Sequence, residues 1–170
     1  AYIENYMQAL IGFQNAYKLD SDDEDLIFQI AMCYKEMEIY SEAIEYMHLF
    51  IDESNSNYIS YYLLGELYFL IEGYDTAEFY FKKSLQLSPQ DYLSLYYLGK
   101  CYLEKEDYIS AAKYFKKSIK IEPDAPKTHY SLALAYNALG KTREVKKQMN
   151  IIYMLDQSLY NELANQLEKK

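Results

Sequence analysis

The sequence predicts an all-α fold in which pairs of antiparallel helices stack one on the next as a solenoid, and three observations predict it. Tyr34, Tyr68, Tyr102 and Tyr136 stand 34 residues apart. A ladder of small residues, Ala9, Ala43, Ala77 and Ala111, keeps the same step and ends in Val145. Within a period, apolar residues recur at helical spacing on both sides of a break centred on Gly73: Leu64, Leu67 and Tyr68 before it, Ala77, Tyr80, Phe81 and Ser84 after it. A fixed period of this size marks an array whose units cover each other's apolar faces. Two stripes of period 3.6 separated by a turn residue read as two amphipathic helices per unit.

Taken in order, residues 1–23 read as half a unit, because Ala9, Phe13 and Ala16 match a second helix with no first helix before it. So apolar a helix is expected to be covered on its missing side, by further repeats of a longer array or by a second copy of the chain. Residues 24–57 form a unit that keeps Ala31, Tyr34 and Ala43, and the acids Asp20, Asp22, Asp23, Glu24 and Asp25 mark its start. That run lacks the glycine and the distal glutamate of a calcium loop. It reads as a helix start capped by Ser21 or Asp22, or as a docking point for a basic partner.

Residues 58–91 and 92–125 are the most regular units. In them Gly65 and Gly99 leave room for Tyr68, Tyr102, Phe81 and Phe115 opposite, the small-against-large complementarity by which paired helices interlock. Residues 126–159 keep Leu132, Ala133 and Tyr136 and then drift to Val145, Met149, Ile152 and Gln157. Residues 158–170 carry Leu159, Leu163 and Leu167 on one face and polar residues elsewhere, as a solubilising terminal cap requires.

The two regular units resemble the tetratricopeptide repeat. The matching positions are Tyr61, Leu64, Gly65, Tyr68, Ala77, Phe81, Ser84 and Pro89, and then Leu95, Leu98, Gly99, Tyr102, Ala111, Phe115, Ser118 and Pro123. The resemblance extends over nearly the whole chain as about four and a half repeats, a single domain over residues 1–170. It implies a right-handed superhelix whose first helices line a concave groove that holds a partner's peptide or helix. Mapped onto this chain, the groove is Phe28, Tyr62, Tyr96 and Tyr130, widened by Leu63 and Tyr97. Parallel rows run through Met32, Glu66, Lys100 and Leu134, and through Lys35, Phe69, Leu103 and Asn137. Tyrosine suits recognition because it offers large area with few rotatable bonds and a polar tip. The alternative is that these rings fill the gaps between successive first helices.

Within the family, the basic clamp for acidic chaperone tails would fall on Phe28, Met32, Leu63, Lys127 and Ser131, where only Lys127 fits. Escorts of type III secretion translocators have a comparably apolar groove but usually three repeats.

Composition bounds the rest. At 170 residues and 51% apolar the chain can bury a continuous core. The chain shows no membrane-length apolar run, basic-then-apolar leader or lipidation signal, so no membrane span is expected, while a leader on a longer precursor stays open. A net charge of −9 argues against a nucleic-acid partner. The lysine pairs Lys82–Lys83 and Lys116–Lys117 read as a solvated outer face, with an anion-binding strip as the alternative. Cys33 and Cys101 share one slot two units apart, which reads as a pair of free core thiols in a reducing, cytoplasmic compartment.

No phosphate loop, Cys-x-x-Cys, His-Glu-x-x-His or Gly-x-Ser-x-Gly occurs, and His48 and His129 lack ligand-spaced companions. The reading is therefore a non-catalytic scaffold or adaptor without cofactor or metal, binding a protein partner. A self-assembling structural protein, joined through the N-terminal half repeat or the groove, is the rival class.

Overall fold

A computed structural model describes residues 2–21, 23–52 and 57–168. Among these, ten α-helices and no strand are found. Contacts divide the chain after Leu87 into two compact units. The first holds α1 (Tyr2–Tyr17), α2 (Glu24–Glu36), α3 (Tyr40–Asp52), α4 (Tyr58–Leu70) and α5 (Tyr74–Leu87). The second holds α6 (Tyr92–Glu104), α7 (Tyr108–Ile121), α8 (Pro126–Ala138), α9 (Thr142–Leu155) and α10 (Gln157–Glu168). Four helix pairs thus follow α1 and precede α10.

The starts of α2, α4, α6 and α8 are 34 residues apart because their caps are. Asp23, Asn57 and Asp91 accept the N–H groups of Leu26, Ser60 and Ser94 at 3.2, 3.0 and 2.9 Å. At the fourth position Ala125 offers no side-chain acceptor, and Pro126, whose φ is preset for a first turn, opens the helix instead. The expected cap at Ser21 or Asp22 is corrected to Asp23: α2 begins at Glu24, so the third helical N–H is Leu26. Asp22 itself lies outside the described residues.

The same helices end alike. Glu38, Glu72, Glu106 and Gly140 take a left-handed backbone with φ of 61°, 61°, 61° and 68°. Each donates its N–H at 3.0 Å to the carbonyl three residues back. The following N–H reaches the carbonyl of the ladder tyrosine, Tyr34, Tyr68, Tyr102 or Tyr136, at 2.8–2.9 Å. This paired closure is a Schellman motif. It corrects the expectation of a break centred on Gly73, because the reversal pivots on Glu72. Gly73 serves close approach instead, since a Cβ there would lie 3.2 Å from the Tyr68 carbonyl oxygen.

In each unit the small-against-large pairing forms the core. Phe81 packs over Gly65 in the first unit and Phe115 over Gly99 in the second, both phenylalanines fully buried. Beside them Ser84 Oγ donates to the Tyr58 carbonyl at 2.8 Å, and Ser118 Oγ to that of Tyr92 at 2.9 Å. These bonds satisfy hydroxyls that the tight helix contact buries.

The expectation that Tyr68 and Tyr102 fill the core is corrected: both are half-buried at its margin. There they stack on the following helix, Tyr68 on Tyr80 at 5.5 Å and Tyr102 on Tyr114 at 5.4 Å, as Tyr34 does on Tyr46 at 5.6 Å. A phenol placed at the margin keeps its polar tip within reach of solvent or a partner, and Tyr68 uses it to meet His48 Nε2 at 3.1 Å.

His129 is buried. Its Nε2–H donates to the Pro123 carbonyl at 2.8 Å, and Nδ1 lies 2.7 Å from the Gln148 side-chain amide. Cys33 and Cys101 are free and buried, and burial pushes the Cys33 thiol up from its ordinary value. No helix among the described residues is long and apolar enough to cross a membrane.

Candidate partner-binding surface

The predicted groove residues come from the first helices of the pairs, and each unit presents its own set. In the first unit the rows run over α2 and α4. Phe28 packs against Phe50 with ring centres 5.2 Å apart, and Tyr62 leans on Phe81 at 6.1 Å, so their inner edges rest on the core. Met32 is half-buried beside them and Phe69 rests on Tyr74 at 5.3 Å. Leu63, expected to widen the groove, is buried in the core cluster because it faces the second helices. Lys35 of α2 reaches across to Glu66 of α4 at 2.6 Å, and the Tyr62 hydroxyl lies 3.4 Å from the same carboxylate. The two charges neutralise each other where the rows meet, leaving an aromatic surface with a fixed polar stitch.

In the second unit the rows run over α6 and α8. Tyr96 lies against Phe115 at 5.9 Å on its inner edge and meets Tyr97 edge-on at 5.2 Å on its outer side. Burial pushes the Tyr96 hydroxyl up from its ordinary value, and a hydrogen bond with Ser131 of α8 partly offsets this. Between these helices opens a cavity of about 250 Å³, walled by Tyr92, Leu93 and Tyr96 on one side and by the turn Ala125–Thr128 on the other. Lys127 stands exposed at its edge. Lys100 is half-buried and pairs with Glu104 at 3.8 Å, and Asn137 is half-buried further along α8.

Tyr130 and Leu134 have a different occupation. Both pack on the cluster of Ala133, Ile152 and Leu163, under α10. The Tyr130 hydroxyl lies 2.9 Å from Glu162 and 2.6 Å from Gln166 of that helix. Burial, followed by the Glu162 carboxylate, pushes this phenol up to about 12. These two residues seat the terminal helix.

Sequence reasoning had not singled out Tyr92, Leu93, Pro126 or Thr128. The signal was present in Pro126, which, opening α8, sets the turn that walls the cavity. Among the described residues no group of three or more His, Cys, Asp or Glu side chains is placed to hold a metal ion.

Two family profiles match the chain. One, described as tetratricopeptide repeat, covers residues 25–56, and the other, described as anaphase-promoting complex, cyclosome, subunit 3, covers residues 72–150. Both profiles are of the tetratricopeptide-repeat type, and the ten helices among the described residues fit about four and a half such repeats. No match is found among curated proteins.

Of the solved structures, the chain is similar to MamA at 21% identity and a TM-score of 0.83, with 91% of each chain covered. It is similar to residues 41–end of MamA from Desulfovibrio magneticus RS-1 at 16% identity and a TM-score of 0.83, covering 90% of this chain and 86% of that one. It is also similar to YrrB, titled a TPR protein with an unusual peptide-binding site, at 18% identity and a TM-score of 0.78, covering 96% and 85%. At such identities the likeness speaks for the fold alone, an all-α solenoid of antiparallel helix pairs.

Proposed function

We propose that the protein is a non-catalytic adaptor that holds a peptide or helix of a partner protein against its first helices. Support comes from the cavity between α6 and α8, which has the size and apolar walls to accept one or two side chains of a bound segment. Tyr92, Leu93 and Tyr96 supply its apolar and aromatic surface, and Tyr97 extends it outward. Lys100 and Asn137 on the second unit, and Phe28, Met32, Tyr62, Glu66 and Phe69 on the first, are the further contact residues proposed. YrrB, by its title a peptide-binding protein of this fold, is consistent with such use of the fold. Fold alone does not assign function, so the proposal rests on the cavity.

The test is capture of partners by the wild-type protein and by Leu93→Glu and Tyr97→Ala variants, each first shown to be folded by circular dichroism. A protein retained by the wild type and lost by both variants, and crosslinked to a photoreactive residue at position 93, supports the reading. Equal retention by all three overturns it.

A further inference from the structure

The net charge of −9 conceals an uneven division. Residues 1–87 carry 4 Lys and Arg against 16 Asp and Glu, and residues 88–170 carry 13 against 10, so the units hold −12 and +3. The cations of the second unit concentrate on its second helices. Helix α7 bears Lys113, Lys116, Lys117 and Lys120, all exposed, and no carboxylate. Helix α9 bears exposed Arg143, Lys146 and Lys147 against the half-buried Glu144 alone.

Within this face lies a cavity of about 240 Å³. Its floor is apolar, formed by Ala112, Leu139 and the ring of Tyr136, with Ile109 at the mouth. Its rim is cationic, with Lys113 and Lys116 on one side and Lys141 on the other. None of the three lysines has a carboxylate within ion-pair distance among the described residues. Lys141 occupies the N-cap position of α9 with no side-chain acceptor there, so the positive end of that helix adds to the rim. Ile109 is 73% exposed at the mouth.

We propose that this cavity binds an acidic protein segment by one apolar side chain flanked by carboxylates. The floor calls for an aliphatic or aromatic group, which supplies the affinity that exposed charges lack. The rim calls for negative charge on both sides of that group, which gives orientation and selectivity. A nucleic acid fits less well. It offers no aliphatic side chain, and a long polyanion meets −12 elsewhere on the same chain.

Fluorescence anisotropy on the full chain tests this. The probes are a labelled twelve-residue Asp/Glu peptide with one central Leu, the same peptide with Ser in place of Leu, and a twelve-nucleotide single strand. The variants, checked for folding by circular dichroism, are Lys113→Glu/Lys141→Glu, Ile109→Ser, and Lys82→Glu/Lys83→Glu as a control on the first unit. The expected result is binding of the Leu peptide about tenfold tighter than the Ser peptide, weakened about tenfold or more by either second-unit variant and unchanged by the control. Tyr97→Ala leaves it unchanged too, which separates this site from the first-helix surface. Equal binding of the Leu and Ser peptides, tighter binding of the oligonucleotide, or indifference to the second-unit variants would overturn the proposal.

Discussion

A Cβ placed on Gly99 would lie 2.6 Å from Cε1 of Phe115, closer than two carbon atoms can approach without displacement. Phe115 is fully buried on α7, so its ring has no free direction in which to yield. Gly99→Ala should therefore destabilise the protein by about 1–3 kcal/mol through overpacking, despite alanine's better helix propensity. Adding Phe115→Leu should recover part of that loss by opening space for the methyl. Gly12→Ala is the control, because nothing lies within 4 Å of its would-be Cβ and it sits inside α1, so it should stabilise by about 0.5–1 kcal/mol. Urea denaturation of the four proteins checks the set, and a neutral Gly99→Ala would refute the close-contact account.

Glu72 and Glu106 hold the left-handed position that Gly140 fills in the fourth pair. A residue with a Cβ pays about 1 kcal/mol there, a strain glycine does not have. Glu72→Gly and Glu106→Gly should each raise stability by up to about 1 kcal/mol, and Gly140→Ala should lower it by a similar amount. The two glutamate sites share no partner, so the double variant should show the sum of the single effects.

Much of this fold was legible in the sequence because its features repeat. The Gly–Phe pairs, the tyrosine ladder and the helix starts each recur every 34 residues, and a periodic pattern identifies a structural unit without needing the contact partner. Features set by contacts outside the period were hidden. Tyr130 occupies the same slot as Tyr62 and Tyr96, yet its hydroxyl is engaged by α10, which no comparison of repeats could reveal. Leu63 stands next to Tyr62 but turns inward, a matter of helix rotation that a one-residue step decides. The left-handed glutamates were missed because glycine was expected to mark the turn. The cationic face was missed because the charge was summed over the whole chain instead of by halves.

The contact of Tyr130 with Glu162 and Gln166 makes the seating of α10 sensitive to alkali. The phenol is raised in the folded state from about 10 up to about 12, so the folded protein favours its neutral form. This contribution is complete below pH 10 and is lost as pH rises from about 10 to 12. Tyr130→Phe removes the titrating group. Compared with the variant, the wild type should lose more stability across that window, and an amide hydrogen-exchange comparison should find the loss in α10. Parallel pH profiles for both proteins would show that the hydroxyl does not couple to α10.

Three aromatic positions on the second unit separate packing from recognition. Phe115 is fully buried, so Phe115→Ala should cost about 3–5 kcal/mol. Tyr102 is half-buried and stacked on Tyr114 at 5.4 Å, so Tyr102→Ala should cost less, about 1–2 kcal/mol for a stacking contact and partial burial. Tyr97 is half-buried and meets Tyr96 edge-on, so Tyr97→Ala should change stability least of the three while weakening partner capture. Thermal melts rank the stabilities and a pull-down at a temperature below all three midpoints ranks the binding. If Tyr97→Ala melts as early as Phe115→Ala, its ring belongs to the core and the proposed contact surface must exclude it.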